Sequence, residues 1–334
     1  MSLRWPAAPA ALLLLFCCVG TAGATSLVAV EYIVALEVSD QSGLTGEIPG
    51  SQRNALGFEW FGTVSGRRGD ILRYDLQARI SHDAEGPGDG GPGLEVHSAW
   101  LDYRVSLGRT LRVGHFSPAF GLEPDVDTHA TLLQTQVGPD IGFKKDWGAA
   151  WMWLLGDGDA TVALQTGSGA ALDRRDRSYL ASVRYTAPAG HGTTVALAGL
   201  VGRTLVAPDA RTAPLPAYES NARSLWRLGA DLQHDAGAVA ILSELSLGAS
   251  DGGGRGALLT RLELHPPTLP RVDLAVQARV FGDSDGGGSS TALAAGYRLD
   301  DRWKLSAGLV GETRSRQPND LRFQTLLTYS RGVR

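Results

Sequence analysis

Apolar and polar residues alternate with a period of two along most of this chain. In the segment Leu72 to Ile80, the even positions carry Leu, Tyr, Leu, Ala and Ile, and the odd positions carry Arg, Asp, Gln and Arg. Because successive side chains of a β-strand point to opposite faces, this pattern predicts a strand with one apolar and one charged face. Its recurrence along a whole chain favours a transmembrane barrel, with lipid outside and water inside.

The same period marks sixteen segments. Eight of them are clear: Val30 to Val38, Leu56 to Val64, Leu72 to Ile80, Tyr179 to Tyr185, Val272 to Val280, Thr291 to Leu299, Trp303 to Leu309 and Leu321 to Tyr329. The others are Leu94 to Val105, Leu111 to Phe116, Trp147 to Leu155, Thr161 to Thr166, Val195 to Val201, Trp226 to Gln233, Val239 to Leu247 and Leu258 to Leu264. Most have a length suited to a tilted strand that crosses a membrane.

The connections between these segments alternate in length. Short turns follow the even-numbered segments, at 65–69, 106–110, 156–159, 186–192, 234–237, 265–271 and 300–301. Longer or glycine-rich stretches follow the odd-numbered ones, at 40–55, 82–93, 117–146, 167–177, 202–225, 248–256, 282–289 and 311–320. Short periplasmic turns and long outer loops are typical of outer-membrane barrels.

The expected fold class is therefore all-β, a transmembrane antiparallel up-and-down barrel of about 16 strands, within a range of about 14 to 18. A large soluble β-sandwich or β-helix is the alternative, and it explains neither the alternation of loop lengths nor the charged faces. The barrel spans residues 25–334, and residues 1–24 are predicted to be a signal peptide with a cleavage site at Ala22-Gly23-Ala24. Together with the barrel pattern, this leader predicts a location in the outer membrane of a Gram-negative cell.

Charge and cysteine content narrow the function. Both cysteines lie in the predicted leader, so the mature chain has no haem-attachment motif. The net charge is −4, which gives no basic field for nucleic acid. The mean hydropathy of −0.06 resembles that of a soluble protein, as expected when each barrel strand carries only a weak signal.

The charged face of the strands predicts an aqueous lumen. An arginine that faces the middle of the bilayer costs about 2–4 kcal/mol, so these side chains line water or pair with each other. A barrel of this size is wide enough for a channel. The longest connection, 117–146, is the third outer loop and carries too many apolar residues for a solvated loop. We predict that it folds into the lumen and forms a constriction whose charges set the ion selectivity.

The predicted pore-lining and constriction residues come from the strands and from this loop. They are Arg73, Asp75, Arg79, Arg112, Glu123, Asp125, Asp127, His129, Lys144, Lys145, Arg184 and Arg279. The alternate residues Asp125, Asp127 and His129 also allow a metal site, but polar loop residues bonded to the barrel wall are the favoured interpretation. We predict no catalytic residues, no cofactor and no metal.

Three stretches resemble the phosphate-selective porins O and P. Residues 114–123 (GHFSPAFGLE) are similar to the end of strand 5 and the start of loop 3 in that family, and residues 163–169 and 181–188 to its strands 7 and 8. The resemblance implies the barrel, a constriction after strand 5, and phosphate selectivity through an arginine ladder and a lysine cluster. Here Ala119 separates Pro118 from Phe120, the chain ends in Arg-Gly-Val-Arg, and the lumen is mixed in sign. We transfer the fold and not the phosphate specificity.

The expected function is a porin that passes small hydrophilic solutes or ions with weak selectivity. The alternative is a barrel sheath around a periplasmic multihaem cytochrome, which needs that partner protein. Enzymatic function is not expected, because the chain has no nucleophile elbow and no HExxH motif. The expected partners are membrane lipid and the solute, no nucleic acid is expected, and a homotrimer remains an open option.

Overall fold

The alternating segments form the strands of one sheet. The computed structural model describes residues 24–45, 48, 52–67, 69–82, 92–169, 176–205, 222–284, 286–315 and 317–333. The strands are β1 (Ala24–Ser39), β2 (Gly43–Thr45), β3 (Asn54–Gly66), β4 (Gly69–His82), β5 (Pro92–Ser106), β6 (Arg109–Phe116), β7 (Asp146–Leu155), β8 (Gly158–Gln165), β9 (Tyr179–Gly190), β10 (Thr193–Thr204), β11 (Arg223–Asp235), β12 (Val239–Ser250), β13 (Gly253–Leu264), β14 (Val272–Asp283), β15 (Gly286–Arg298), β16 (Trp303–Arg314) and β17 (Asp320–Val333). One short helix, α1 (Val137–Ile141), precedes β7. No helix within these ranges has the length and apolar character needed to cross a membrane.

Strand β1 closes the sheet into a barrel. It pairs antiparallel with β17, with Tyr32 opposite Tyr329, and on its other side with β3, with Tyr32 opposite Leu56. The other long strands pair with their neighbours in the chain. Each of the sixteen predicted strands is present, and β2 is an extra strand of three residues that pairs with β1. The predicted antiparallel up-and-down barrel is therefore confirmed.

The two faces of the barrel wall differ in polarity as the alternation predicts. On the outer face, Leu197 is 68% exposed and Leu228 is 62% exposed. On the inner face, Glu244 and Arg227 are 0% and 1% exposed. A soluble protein usually buries leucine and exposes charge, so this inverted distribution is typical of a barrel surrounded by lipid.

The connections at one end of the barrel are short, as predicted. Strands β5 and β6 are joined by Leu107 and Gly108, and β7 and β8 by Gly156 and Asp157. The long connection between β6 and β7 leaves from the opposite end. We call that opposite end the outer end, after the loop asymmetry of outer-membrane barrels.

The prediction of long outer loops is wrong for two glycine-rich stretches, 248–256 and 282–289. Strands β12 and β13 run on through the glycine-rich segment 248–256 and are joined by Asp251 and Gly252 alone. Both of these residues have positive φ angles, 47° and 83°, which are typical of a tight hairpin turn. Strands β14 and β15 likewise continue through most of 282–289 and are joined by residues 284–285. The predicted tight turn at 265–271 is longer than either of these hairpins.

The structure also adjusts the bounds of the predicted constriction loop. Asp146 is the first residue of β7, so the connection covers residues 117–145, and we call this segment the inner loop. The predicted signal peptide, residues 1–24, lies outside the described residues apart from Ala24, which begins β1.

Candidate functional site

The inner loop lies inside the barrel. Phe120 at its start belongs to an apolar cluster with Leu180 of β9, and Leu132 further along belongs to a cluster with Ile33 of β1. Because β1 and β9 lie on opposite sides of the sixteen long strands, the loop crosses the lumen from wall to wall. Leu122 packs between these points, in a cluster with Leu259 of β13.

A glycine lets the loop approach the wall closely. Gly121 has φ +60°, and a Cβ there would collide with the carboxylate of Glu244 on β12. The same carboxylate accepts a hydrogen bond from the backbone N–H of Gln136, with an N···O distance of 3.3 Å. Glu244 thus holds two separate parts of the inner loop against β12.

Asp140 in helix α1 attaches the loop to the outer half of the lumen. Its carboxylate accepts a hydrogen bond from Arg227 Nε of β11 at 2.9 Å, and Arg255 Nε of β13 lies 3.5 Å from the same oxygen. The hydroxyl of Ser246 on β12 donates to the other carboxylate oxygen. The side chains of Arg227 and Asp140 are at most 1% exposed, so this ion pair is buried.

A polar network holds the loop to itself. Lys144 Nζ donates to the hydroxyl of Thr128, with an N···O distance of 2.7 Å, and also to the side-chain oxygen of Gln134. Thr128 and Thr135 both donate to the carboxylate of Glu123. Burial lowers the pKa of the Lys144 ammonium, and the nearby Glu123 carboxylate acts in the opposite direction. The predicted constriction residues Glu123 and Lys144 are therefore both buried within the loop.

Asp125 faces a basic residue on the wall. Arg184 Nη2 of β9 lies 2.6 Å from the Asp125 carboxylate and 2.9 Å from that of Asp231 on β11. Asp127 is exposed, and one of its side-chain oxygens accepts a hydrogen bond from the backbone N–H of His129 at 2.8 Å. Two carboxylates around one guanidinium leave this part of the lumen net negative.

The three residues of the metal alternative do not converge. His129 Nε2 lies 2.5 Å from the carboxylate of Glu31 on β1, whereas Asp125 pairs with Arg184. Within the described ranges, no group of three or more acidic, histidine or cysteine side chains is placed to hold a metal ion. The favoured interpretation of polar residues bonded to the wall matches these contacts.

The predicted arginines of β4 and β6 form ion pairs with β5. Arg79 Nε lies 2.8 Å from Glu95, while Arg112 Nε and Arg73 Nη2 lie 2.7 and 3.2 Å from Asp102. The guanidinium of Arg112 also lies over a tryptophan ring, 4.2 Å from its centroid. Two further predicted lumen residues lie near these strands or in the inner loop. Asp75 on β4 is buried, and Lys145 at the end of the inner loop is half-buried.

A cavity of about 450 Å³ lies between the inner loop and the wall of β12 to β16. Its charged and titratable lining residues are Asp125, Asp127, Arg261, Glu263, His265, Asp273 and Lys304. Small residues of the same wall, such as Ala275, Ala294 and Gly296, leave the space open. Lys304 Nζ lies 2.9 Å from Asp273, and Arg261 Nη1 lies 3.3 Å from Glu263. Polar groups of both signs thus surround a space large enough for a small solute.

The sequence prediction missed several residues that fix the lumen. Glu95, Asp102, Asp140 and Arg227 were not among the predicted site residues, although each is buried and forms an ion pair. Their charge in the lumen-facing phase of β5 and β11, or in the inner loop, was the available signal. Of the predicted residues, Asp125 and Asp127 line the cavity, whereas Arg79, Glu123, Lys144 and Arg184 are buried.

No protein-family model and no curated protein matches the chain. Solved structures do match. The trimer form of OmpT, an outer membrane protein of Vibrio cholerae, has a TM-score of 0.66 and 9% identity over 93% of this chain and 100% of its own. The outer membrane channel DcaP of Acinetobacter baumannii has a TM-score of 0.62 and 12% identity, over 92% of this chain and 98% of its own.

Pseudomonas putida OprB gives a TM-score of 0.60 at 10% identity, over 92% of this chain and 94% of its own. The fold is that of an outer-membrane β-barrel. This agrees with the predicted location in a Gram-negative outer membrane, where lipid contacts the apolar outer face. At such low identity the likeness concerns the fold, and the resemblance to phosphate-selective porins is supported only at that level.

Proposed function

We propose that the chain forms a water-filled channel for passive diffusion of small hydrophilic solutes or ions. The observation that carries the proposal is the inner loop, which crosses a charged lumen and leaves a polar cavity of about 450 Å³ beside it. A loop folded into a wide barrel narrows the aqueous path without blocking it.

The pairing of charges supports weak ion selectivity. Arg79, Arg112 and Arg184 each contact a carboxylate, so their fields are largely cancelled at a distance. The cavity has carboxylates and cations close together. An ion that crosses the cavity therefore passes lining residues of both charges, and no long part of its path is lined by charges of one sign.

Other functions receive less support. A sheath around a multihaem cytochrome needs free space in the lumen, and the inner loop occupies the middle of it. Solved structures with this fold include the outer-membrane channel DcaP, and we infer that the chain is a channel and not an enzyme. A trimer form exists for Vibrio cholerae OmpT, and we extend a trimeric assembly to this chain as part of the proposal.

Planar-bilayer recording tests the proposal. Purified, detergent-folded protein should give stepwise current increases in potassium chloride, with a reversal potential close to zero across a salt gradient, because cations and anions both find paired charges. The same protein unfolded by heating serves as the control and should give no steps. A folded barrel that adds no conductance, or that passes ions of only one sign, would contradict the proposal.

A further inference from the structure

Nearly every arginine on the lumen side of the strands has a carboxylate partner in the described part of the chain. The pairs are Arg53 and Arg79 with Glu95, Arg73 and Arg112 with Asp102, Arg184 with Asp231, Arg227 and Arg255 with Asp140, Arg261 with Glu263, Arg298 with Asp273, and Arg314 and Arg322 with Glu312. Arg279 on β14 differs. No carboxylate of the described residues lies within 4.0 Å of its guanidinium, and none accepts a hydrogen bond from it.

Two neighbouring residues fix the position of Arg279. Its guanidinium carbon lies 4.4 Å from the ring centroid of Phe281, a cation–π contact. The ring packs against the backbone of Gly288 on β15, where a Cβ would come within 2.7 Å of Cζ of Phe281. The absence of a side chain at Gly288 thus leaves space for the Phe281 ring, and the ring contacts the guanidinium of Arg279.

The guanidinium keeps free donors in this position. Its Nε is buried and has no acceptor among the described residues, whereas its two Nη nitrogens are not fully buried. Arg279 is half-buried as a whole, and its Nη groups form no hydrogen bond with the described residues, so they are open to water and solutes. Two parallel N–H groups on one edge match the two oxygens of a carboxylate.

The surrounding charges leave Arg279 unmatched. Arg255 and Arg314 are the neighbouring cations, and Asp140 and Glu312 are the neighbouring carboxylates. Asp140 already contacts Arg227 and Arg255, and Glu312 already contacts two arginines. The carboxylates next to Arg279 are thus shared among other cations, so the local surplus is positive.

We propose that Arg279 is a binding site for the carboxylate of a small organic monoanion that passes through the outer half of the lumen. This inference rests on the proposed channel function and adds a class of solute to it. A single free guanidinium neutralises one negative charge. The two coplanar oxygens of a carboxylate match the two N–H groups on one edge of the guanidinium, and this match assigns the ligand class.

Current block by benzoate tests the site. Benzoate added on the outer side should reduce the chloride current of the wild-type channel, while benzamide, which has the same shape and no charge, should not. Arg279→Gln should raise the half-blocking benzoate concentration by about tenfold or more, because a charge-assisted bidentate contact is lost. Phe281→Leu, which keeps the charge and removes the ring below it, should raise it by a smaller factor.

Arg298→Gln is the matched control. Arg298 also faces the lumen, but it lies near the short-turn end, 3.7 Å from Asp273, and its side chain is 55% exposed. This variant should keep the wild-type half-blocking concentration. Equal block of wild type and Arg279→Gln would overturn the site, and stronger block by inorganic phosphate than by benzoate would overturn the ligand class. A wild-type barrel without any conductance would instead refute the channel function.

Discussion

Deletion of residues 122–140 is expected to raise the single-channel conductance several-fold. The deleted segment includes Leu122, Leu132 and Asp140, which attach the inner loop to β13, β1 and β11. Without it, the part of the loop that crosses from β9 to β1 is gone, and the aqueous path through a barrel of this size is wider. Planar-bilayer recording of the variant beside the wild type gives the ratio directly.

The deletion variant must first be shown to fold. The barrel strands keep all of their backbone pairing, so the change in electrophoretic mobility on heating should persist. A milder variant, Leu122→Asp with Leu132→Asp, should loosen the loop and give a conductance between those of the wild type and the deletion. If both variants fold and conduct like the wild type, the inner loop does not limit the current.

The second large effect is expected from Asp140→Ala. This change leaves the guanidinium of Arg227 buried without its carboxylate, and removing one partner of a buried ion pair costs about 3–5 kcal/mol. Urea unfolding of the detergent-folded barrel, followed by tryptophan fluorescence, measures the loss in free energy of unfolding. The released helix α1 should also make the channel current noisier.

Asp320→Ala provides the comparison. Asp320 lies 3.2 Å from Arg322, but its side chain is 26% exposed and Arg322 retains Glu312 as a partner. A partly exposed pair contributes about 0–1 kcal/mol, so this variant should unfold close to the wild type. Arg227→Ala combined with Asp140→Ala should be less destabilising than the sum of the two single changes. Equal losses for Asp140→Ala and Asp320→Ala would show that the Asp140 contact does not hold the loop.

Much of the barrel could be predicted because alternation is a local property. Each strand must present apolar residues to lipid, and that requirement is visible in segments such as Leu72 to Ile80 without any knowledge of neighbours. The hairpins at Asp251 and residues 284–285 were missed for the same reason. Beyond the lipid-facing part of a strand, small residues such as Gly and Ser can continue the pairing without leaving an apolar signal.

The site was harder to predict because it depends on contacts between distant segments. A β-bulge in β5 opposite Gln77 and Ala78 places Glu95 and Asp102, an odd and an even position, on the same lumen face. A prediction that assigns every second residue of that strand to the lumen therefore misses either Glu95 or Asp102. Asp140 is 87 residues from Arg227, and nothing local to either residue indicates the pairing. The apolar content of the inner loop, in contrast, was visible in the sequence.

Liposome swelling tests most directly whether the barrel is a channel narrowed by its inner loop. Liposomes that contain the folded protein are placed in isotonic solutions of uncharged sugars of increasing size, and the rate of swelling reports entry. With a cavity of about 450 Å³ beside the loop, we expect monosaccharides to enter quickly, trisaccharides to enter slowly or not at all, and the 122–140 deletion to remove this difference. Liposomes that exclude even the monosaccharides would show that the lumen is closed and would contradict the channel.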